Sequence, residues 1–516
     1  MSTYESYAEY YHDLTKYSPE GIASSQHRLD FGKQPLPFKE YSNKKTIDLS
    51  YLLPLDRNPF SDAGIKSDKS FTQTEKSLSK LSTLLYFSNG VTAVVPYVDK
   101  PFYMRANPSA GGLYPTEVYV CASGYEGLED GIYNHQVLKQ SIVLLHQTDV
   151  KEALKKATFE HPAIEQSKLF LILTGVFFRS SWRYQDRAYR RVCLDTGHIL
   201  GNIDVVSKSC DFKPVLIGGF NDSLVNELLG LDENEEQALV VIALPDVSLN
   251  IDSNSQTVLP SRLDNQNITT PEGSRLIQLH NRSRIDNFVS VPNIKLDNVE
   301  EKFKFSSKDS FDPKIKNFKW KNSLFSTILK RRSTRAFSGE QITKQELGSI
   351  LKFAYKPEYF ERENLDPRPS YFDLSLIQTF IAINNVNGLE DGCYYYSSSG
   401  HYLRQVRFKN FRDEIYYLCL GQDLGYKASA VIFHTSALSK AVFKYGERAY
   451  RYLHMDAGHL GQRINLAAVN LDLGVSGIGG FFDDQVNDIL GIPETEAVIY
   501  ITTLGVPIDE KQIEDK

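Results

Sequence analysis

The chain has 516 residues, of which 41% are hydrophobic and 24% charged, and its formal net charge at pH 7 is −6. This length exceeds what one hydrophobic core usually holds and predicts two or more domains. The one compact basic group, LKRRSTR, is too short for a nucleic-acid-binding arm, so small-molecule chemistry is the better expectation.

The N-terminal sequence, MSTYESYAEYYHDLTKY, lacks the basic and then apolar regions of a signal peptide. No apolar run in the chain approaches the roughly 18 to 20 residues that a membrane span needs. Five cysteines are scattered without a CxxC pair, which argues against a disulfide framework or a zinc ribbon. We therefore expect a cytoplasmic protein with buried thiols and with no membrane or nucleic-acid partner.

A domain-sized repeat organises the chain. The stretch YQDRAYRRVCLDTGHIL begins at Tyr184 and the related stretch YGERAYRYLHMDAGHLG begins at Tyr445, an offset of 445 − 184 = 261 residues. The same offset relates LIGGFNDSLVNELLG, which begins at Leu216, to GIGGFFDDQVNDILG, which begins at Gly477. A repeat of this length indicates two folded copies rather than a short solenoid unit.

In each copy the predicted elements follow one order: a helix, a strand, a long helix, a Gly-Gly-Phe loop and a final strand. Apolar residues of the long helix recur at steps of three or four, whereas the strands are short and β-branched. The segment 249–274 is rich in Asn, Ser, Pro and Thr, as expected for a linker. We predict an α+β protein with an N-terminal extension (1–75), two domains (76–248 and 275–516) and this linker between them.

A loop with two consecutive glycines marks the first copy. It contains Pro108, Ser109, Ala110, Gly111 and Gly112 and leads into a predicted strand. Consecutive glycines let a backbone approach a flat ligand or an anion closely. The corresponding stretch of the second copy, PRPSYFDLSL, keeps the proline and serine but has bulky residues in place of the glycines. The first copy alone therefore carries a loop that admits a ligand.

A group of arginines marks the second copy instead. Arg331, Arg332, Ser333 and Arg335 stand together in KRRSTRAFSG, next to a predicted helix. Arginines grip a phosphate through paired charged hydrogen bonds, so the group suits a dianion; a solvated basic turn is the alternative. We expect the matching position of the first copy to be FTQTEKSLSKLSTLLYF, which contains no arginine. The two copies thus differ in complementary ways.

Four motifs together resemble one known family. RANPSAGGLYP, RRSTRAF, KYGERAYRYLHMDAGHLGQRINLAA and GIGGFFDDQVNDILGI are similar to segments of the flavin-dependent nitroreductase superfamily, most closely its SagB/ThcOx-type azoline oxidase branch. The resemblance covers most of both copies. It implies two tandem nitroreductase-like domains that pair as a pseudo-dimer within one chain, with approximate two-fold symmetry, and it leaves a higher oligomer open.

The resemblance also implies an FMN site between the copies. The residues that would bind FMN are Arg331, Arg332, Ser333, Arg335, Gln422, Gly477, Ile478, Gly479 and Gly480 from the second copy and Pro108, Ser109, Ala110, Gly111 and Gly112 from the first. The arginine and serine group would hold the phosphate and ribityl chain, and the second glycine loop would present N–H groups to the flavin N5 edge. Because each copy lacks one part, we expect one complete site per chain.

Two residue pairs are candidates for acid–base chemistry. Lys444 and Tyr445 match a Lys-Tyr pair of azoline oxidases, and the first copy has Arg183 and Tyr184 at the same place. A cation beside a phenol favours the phenolate and so lowers the pKa of the tyrosine. In nitroreductase-like dimers the segment over a flavin comes from the partner subunit, so both pairs stay open. An arginine supports a phenolate but is not itself a base.

The resemblance implies an FMN-dependent oxidoreductase that transfers hydride at flavin N5. Its substrate would be a modified, azoline-bearing peptide or another small molecule. One alternative is a nitro or quinone reductase with NAD(P)H as co-substrate, and another is a flavin-free scaffold of a peptide-modifying complex. Asp195 and His198, like Asp456 and His459, have a spacing that suits metal ligands, but a third ligand is lacking nearby. We expect structural pairs and no metal site.

Overall fold

The computed structural model describes residues 4–42, 44–53, 71–96, 101–249, 256–263, 270–293, 299–311 and 321–508. The predicted N-terminal extension and linker each fall partly outside these residues. The helices are α1 (Tyr7–Leu14), α2 (Pro19–Ser24), α3 (Gln73–Asn89), α4 (Val150–Ala157), α5 (Pro162–Glu165), α6 (Phe177–Tyr184), α7 (Ala188–Ser207), α8 (Asp222–Leu229), α9 (Arg275–Arg282), α10 (Leu324–Lys330), α11 (Lys344–Tyr355), α12 (Arg412–Leu418), α13 (Asp423–Tyr426), α14 (Leu438–Tyr445), α15 (Ala449–Asn470) and α16 (Asp483–Leu490).

The strands are β1 (Thr46–Asp48), β2 (Val91–Val95), β3 (Phe102–Arg105), β4 (Thr116–Ala122), β5 (Gly131–Gln136), β6 (Ser141–His146), β7 (Ser167–Val176), β8 (Val215–Ile217), β9 (Glu236–Pro245), β10 (Lys308–Ser310), β11 (Ile342–Thr343), β12 (Gln378–Ile383), β13 (Val386–Asn387), β14 (Gly392–Ser397), β15 (Tyr402–Arg407), β16 (Ala430–Ser436), β17 (Gly474–Ile478) and β18 (Ala497–Gly505). Within the described residues, no helix combines the length and the apolar character needed to cross a bilayer.

Each half of the chain builds one seven-stranded sheet. The strand order is β1-β6-β5-β4-β7-β9-β8 in the first half and β10-β15-β14-β12-β16-β18-β17 in the second. Neighbouring strands in both sheets are antiparallel. The two orders correspond strand for strand, which confirms the predicted α+β class and the tandem duplication.

The two long helices, α7 and α15, cross at the centre of the molecule. Gly197 and Gly458 mark the crossing and occupy equivalent positions of the repeat (458 − 197 = 261). A Cβ on Gly197 would lie 2.2 Å from the carbonyl oxygen of Met455, and one on Gly458 would lie 2.2 Å from that of Leu194. Only glycine allows two backbones to approach so closely. The repeated helix therefore forms the centre of an intramolecular pseudo-dimer, as predicted.

Buried ion pairs join the start of each long helix to the opposite half. Two arginines, one just before the helix and one in its first turn, bind one aspartate at the start of a short helix across the interface. The pairs are Arg448–Asp222 at 2.6 Å, Arg451–Asp222 at 3.0 Å, Arg187–Asp483 at 2.8 Å and Arg190–Asp483 at 2.8 Å. Burial alone would raise the pKa of both aspartates, but the guanidinium groups hold it below the ordinary value. Both halves of the repeat thus keep the same charged contacts.

Short helices also cross between the halves. At the start of α1, the N–H of Tyr7 donates to the carboxylate of Glu447 at 2.9 Å. Near the start of α9, the N–H of Gly273 donates to Asp186 at 2.7 Å, and Asp186 is the counterpart of Glu447 (447 − 186 = 261). A carboxylate at a helix N-terminus is favourable because it meets unpaired N–H groups. The repeat therefore includes α1, which lies within the predicted N-terminal extension.

Candidate functional site

The first glycine loop, residues 108–112, connects β3 to β4. Ser109 donates from Oγ to Asp195 of α7 at 2.5 Å, and the N–H of Ala110 donates to the same carboxylate at 3.2 Å. Gly111 and the glycine after it have φ angles of 65° and 66°, in the left-handed region that favours glycine. Pro108 is half-buried, whereas Gly111 is exposed. The loop is thus anchored at its serine and open at its glycines.

The carboxyl group that anchors this loop titrates near neutral pH. Burial raises the pKa of Asp195 to about 7, and the hydrogen bonds from Ser109 and Ala110 only partly oppose this rise. At neutral pH a substantial fraction of Asp195 is protonated. The strength of the anchor therefore depends on pH.

Arg183 and Tyr184, at the end of α6, lie against the first glycine loop. A Cβ on Gly111 would be 2.9 Å from the phenol oxygen of Tyr184 and 3.3 Å from Cδ of Arg183. The guanidinium of Arg191, from α7, lies 4.2 Å from the centre of the Tyr184 ring. Of the two candidate acid–base pairs, this is the one beside the glycines.

The second glycine loop follows β17 and faces the same region. Gly477 is exposed and Ile478 is buried on the strand, while Gly479 and Gly480 are half-buried. Arg191 donates from Nη2 to the carbonyl oxygen of Gly479 at 2.6 Å. Neither the N–H of Gly479 nor that of Gly480 has a hydrogen-bond partner in the described part of the chain. Two adjacent backbone donors are therefore available to a ligand.

Gln422 lies in a loop that borders Gly480. A Cβ on Gly480 would be 2.9 Å from Cδ1 of Leu420, two residues before Gln422. Gln422 itself donates from Nε2 to the carbonyl oxygen of Cys419 at 2.8 Å. The side chain is thus close to the second glycine loop but hydrogen-bonded to its own backbone.

Arg331 reaches from the second half to the first glycine loop. Its Nε donates to the carbonyl oxygen of Ala106 at 2.8 Å and its Nη2 to that of Arg105 at 3.0 Å. The residue is 3% exposed, and burial lowers its pKa to about 10. Among the described residues, its Nη1 has no hydrogen-bond partner and no carboxylate pairs with it. Within the described residues, Arg331 is therefore a buried cation without a paired anion.

The rest of the arginine group runs alongside β17. The N–H of Thr334 donates to the carbonyl oxygen of Val475 at 2.9 Å, and the N–H of Val475 donates to Oγ1 of Thr334 at 2.8 Å. Arg332 and Ser333 are half-buried and Arg335 is exposed. We call the region bordered by this group, both glycine loops, Tyr184 and Arg191 the open site.

The first-half counterpart of the arginine group differs from the one expected. FTQTEKSLSKLSTLLYF forms α3, which begins at a capping box on Thr72, and α11 begins at an equivalent box on Thr343. With this offset of 343 − 72 = 271, the counterpart of 331–335 is 60–64, FSDAG, outside the described residues. The predicted correspondence is wrong because the loop lengths of the copies differ, although the new stretch also lacks arginine.

At the pseudo-symmetric position, where the glycine loop of the first half meets the second half, side chains fill the region that corresponds to the open site. Phe372, at the position of the first glycine of the first loop (372 − 111 = 261), stacks on Tyr452 with ring centres 5.0 Å apart. A Cβ on Gly218 would lie 2.8 Å from the Phe372 ring, and one on Gly219 would lie 2.4 Å from Cγ of Leu259 in the linker. Both glycines are buried. We call this region the closed site.

The linker supplies a hydrogen-bond acceptor in the closed site. The carbonyl oxygen of Thr257 accepts from the N–H groups of Gly218 and Gly219 at 2.8 and 3.0 Å. These glycines are the counterparts of Gly479 and Gly480 (479 − 218 = 261). The two adjacent N–H groups of this glycine loop therefore point at one acceptor. In the closed site, that acceptor is the Thr257 carbonyl oxygen of the linker.

Lys444 and Tyr445 lie at the closed site. Nζ of Lys444 and the hydroxyl of Tyr445 donate to the same oxygen of Asp373, at 2.6 and 2.9 Å. Burial and the Asp373 carboxylate raise the pKa of Tyr445 above its ordinary value. The expected phenolate is disfavoured here, because the lysine cation is already paired with a carboxylate.

Two residues that define these sites were not among the candidates predicted from the sequence. Arg191 joins the two halves of the open site, and its counterpart is Tyr452 (452 − 191 = 261). A position-by-position comparison of the copies would have revealed this difference. Thr257 acts through its backbone carbonyl, which no side-chain pattern identifies.

The histidines of the repeated helix contact the opposite half of the molecule. His198 hydrogen-bonds to Gln462 and Tyr500, both at 2.9 Å, and His459 hydrogen-bonds to Asp204 at 3.2 Å. In the described ranges, no group of three or more His, Cys, Asp or Glu side chains is placed to hold a metal ion. Both histidines therefore belong to the interface between the halves.

Comparison with known proteins identifies the fold. The family model described as "Nitroreductase family" matches residues 66–244 and 328–506. A crystal structure of an Anabaena variabilis protein named as a nitroreductase is 48% identical, covers 98% of this chain and 100% of that chain, and has a TM-score of 0.89. MJ1384 of Methanocaldococcus jannaschii, also named as a nitroreductase, is 29% identical over 167 residues, which are 32% of this chain and 83% of that protein.

A further relative agrees with the azoline oxidase branch that the motifs indicated. The microcin B17-processing protein McbC of Escherichia coli is 24% identical over 149 residues, which are 28% of this chain and 55% of McbC. The family model matches both copies of the repeat, and the Anabaena structure matches the whole chain. The chain therefore belongs to the nitroreductase family, with two family domains in tandem.

Proposed function

We propose that the chain is an FMN-dependent oxidoreductase that binds one FMN in the open site. Membership of the nitroreductase family makes it an oxidoreductase at the level of the family. The cofactor, its stoichiometry and the substrate are the parts of this proposal that need experiments.

The proposal rests on the N–H groups of Gly479 and Gly480, which have no hydrogen-bond partner within the described residues. In the closed site, the equivalent groups of Gly218 and Gly219 converge on the Thr257 carbonyl oxygen. By this equivalence, a ligand of the open site should offer one acceptor atom to the N–H groups of Gly479 and Gly480. The N5 atom of oxidised flavin is such an acceptor.

Positive charge at the open site fits the anionic part of FMN. Arg331 is buried without a carboxylate partner among the described residues, and uncompensated buried charge is costly. Arg335 is exposed and Ser333 half-buried on the same segment. Charged guanidinium groups bind phosphate strongly, so Arg331, Ser333 and Arg335 would hold the phosphate, with Arg331 also bonded to the backbone just before the first glycine loop.

Bound FMN supplies a ring that takes up and releases hydride at N5. Tyr184 lies at the glycines of the first loop, where its hydroxyl can exchange a proton with a substrate. Arg183 and Arg191 keep positive charge around this phenol. Arginine stays protonated at neutral pH, so Tyr184 is the proton-exchanging group of the pair.

Flavin content of the purified chain tests the proposal. We expect a yellow protein with close to one FMN per chain, measured by absorbance after the flavin is released by heat. Changing Arg331→Ala together with Arg335→Ala should abolish flavin binding. Changing Lys444→Ala, at the closed site, is the matched control and should leave the flavin content unchanged. A colourless wild-type chain that does not take up added FMN would contradict the proposal and favour a flavin-free scaffold protein.

The absorbance of the bound flavin, which is lost on reduction, tests the direction of the reaction. Bleaching by NADH or NADPH, followed by recovery with a quinone or nitroaromatic compound, indicates a reductase, as the names of the Anabaena and Methanocaldococcus relatives suggest. Bleaching by an azoline-bearing peptide indicates the oxidase. The similarity to McbC, a microcin-processing protein, motivates the peptide substrate.

A further inference from the structure

The open site is built by two halves of the molecule, and one side chain touches the parts contributed by both. Arg191, from α7 of the first half, is 4% exposed. Its Nη2 donates to the carbonyl oxygen of Gly479 from the second half at 2.6 Å. The same guanidinium lies 4.2 Å from the ring centre of Tyr184, which borders Gly111. Arg191 thus contacts both the carbonyl oxygen of Gly479 and the proposed proton-exchanging phenol.

We propose that Arg191 is a positioning residue that orients the Gly479–Gly480 peptide towards the cofactor and holds Tyr184 beside it. This inference rests on the proposed function, because it assigns Arg191 a role in cofactor binding.

Peptide geometry explains how a contact with an oxygen orients a nitrogen. The carbonyl of Gly479 and the N–H of Gly480 belong to one planar trans peptide unit, in which the two bonds point in opposite directions. A guanidinium fixed on the oxygen therefore fixes the direction of the N–H on the other side. Because the hydrogen bond is charge-assisted, it also increases the polarity of that peptide.

The closed site contains the same arrangement with its acceptor present. There the carbonyl oxygen of Gly218 accepts from Nε of Arg448 at 2.8 Å. The N–H of Gly219, in the same peptide unit, donates to the carbonyl oxygen of Thr257 at 3.0 Å. In the closed site, therefore, an arginine binds the carbonyl oxygen of the first glycine while an acceptor binds the N–H of the second.

A different arginine performs this task in the open site. The counterpart of Arg448 is Arg187 (448 − 187 = 261), which binds Thr15 and Asp483 instead. Arg191 lies one helical turn further along α7, and only from there does a guanidinium reach both Gly479 and Tyr184. At the equivalent position the closed site has Tyr452, which stacks on Phe372. Position 191 therefore differs between the copies, although an arginine contacts the carbonyl oxygen of the first glycine in both sites.

Arg191→Met in the full-length chain tests the proposal, and Tyr452→Phe at the equivalent position is the control. The measurements are the FMN dissociation constant, from quenching of flavin fluorescence, and the visible spectrum of bound FMN. We expect Arg191→Met to weaken FMN binding by about 10- to 100-fold, as for loss of a charged hydrogen bond, and to shift the spectrum towards that of free flavin. Tyr452→Phe should leave both unchanged.

Arg191→Lys keeps the charge and one donor but loses the flat guanidinium, so it should restore part of the affinity and of the spectrum. This variant also serves if Arg191→Met does not fold. An FMN dissociation constant and a spectrum like those of the wild type in both Arg191 variants would overturn this inference alone. A wild-type chain that binds no FMN would overturn it together with the proposed function.

Discussion

The open and closed sites share one scaffold and differ in what meets the glycine loop. In the closed site, the N–H groups of Gly218 and Gly219 bond to the linker at 2.8 and 3.0 Å. In the open site, the N–H groups of Gly479 and Gly480 have no partner within the described residues. The buried arginine–aspartate pairs around both sites are the same. The sites thus differ in their loops and at the pair Arg191 and Tyr452, whereas these ion pairs are retained.

The comparison shows how the closed site satisfies its buried polar groups from within the chain. Its two buried N–H groups need an acceptor, and the space around them needs to be filled. Thr257 provides the acceptor, and Phe372 and Leu259 provide the volume. The linker is therefore a structural part of the closed site as well as a connection between domains.

The largest expected effect comes from copying the closed site into the open one. Gly111→Phe places a side chain where φ is 65° and where a Cβ would already lie 2.9 Å from the hydroxyl of Tyr184. We expect FMN binding to weaken by at least about 100-fold, measured by fluorescence titration. Phe372→Ala should keep one FMN per chain, because the linker still occupies the closed site. Unchanged binding by Gly111→Phe would show that FMN does not use the open site.

Removing either interface aspartate should lower stability by a similar amount, but only one of the two variants should also lose FMN affinity. Asp222→Ala and Asp483→Ala each leave two buried arginines without their carboxylate, so each should lower the free energy of unfolding by about 3–5 kcal/mol. Urea denaturation followed by circular dichroism measures this. Only Asp483→Ala, three residues after Gly480, should also weaken FMN binding. A loss below about 1 kcal/mol in either variant would mean that the ion pairs are not structural.

Tyrosine variants distinguish the two acid–base pairs. Tyr184→Phe should lower kcat about 100-fold with little change in flavin content, because it removes the proton-exchanging hydroxyl from the open site. Tyr445→Phe should change kcat less than about 2-fold, since that hydroxyl is bound to Asp373 at the closed site. Steady-state turnover with NADPH and a quinone gives both values. The reverse result would assign catalysis to the Lys444–Tyr445 pair.

The smallest expected effect concerns pH. Burial raises the pKa of Asp195 and that of Asp456 to about 7, whereas an aspartate in the unfolded chain titrates near 3.9. Between about pH 4 and pH 7 the folded chain holds protons that the unfolded chain has released. The contribution of these two carboxyl groups to the free energy of unfolding should therefore decrease as pH rises through this window and level off above it. Buried histidines such as His198, His434 and His454, whose pKa burial lowers, contribute with the opposite sign in part of this window, so the two carboxyl groups are measured by comparing variants with the wild type.

Asn variants separate the two aspartates. Asp195→Asn and Asp456→Asn should each remove the contribution of one carboxyl group, so the difference in free energy of unfolding between variant and wild type should change between about pH 4 and pH 7. Urea denaturation at a series of pH values measures this difference. Asp195→Asn should also weaken FMN binding by about 3- to 10-fold, because it alters the anchor of the first glycine loop. Asp456→Asn should not, since its partners are Phe372 and Asp373 at the closed site. Equal effects on FMN binding would contradict the separation of the two sites.

Much of the fold was predictable because the duplication is in register. The constant offset of 261 residues, visible at Tyr184 and Tyr445, predicts two domains, and the structure confirms two sheets of equal strand order. The error at FTQTEKSLSKLSTLLYF arose where this register is lost: α3 and α11 are related by an offset of 271 instead. Insertions in loops change an offset without changing the elements around them.

The sequence predicted the segments that form the candidate site, but not which of the two tyrosines lies beside them. The first glycine loop, the second glycine loop and the arginine group meet around the open site, as the complementary losses suggested. The sequence left the choice between Tyr184 and Tyr445 open, because both copies contain the same motif. Contacts with Gly111 and with Asp373 separate the two tyrosines.

By itself, the sequence determined that this protein is a tandem duplication whose copies differ in the first glycine loop and in the arginine group. That information is local, since it consists of side-chain identities that recur, or fail to recur, at a fixed spacing. Only the tertiary structure decided that Arg191 reaches across the interface to Gly479, and that the linker closes the other site through the Thr257 carbonyl. The physical reason is that both contacts join residues distant in the chain through backbone oxygens, which every residue has and which no sequence pattern distinguishes.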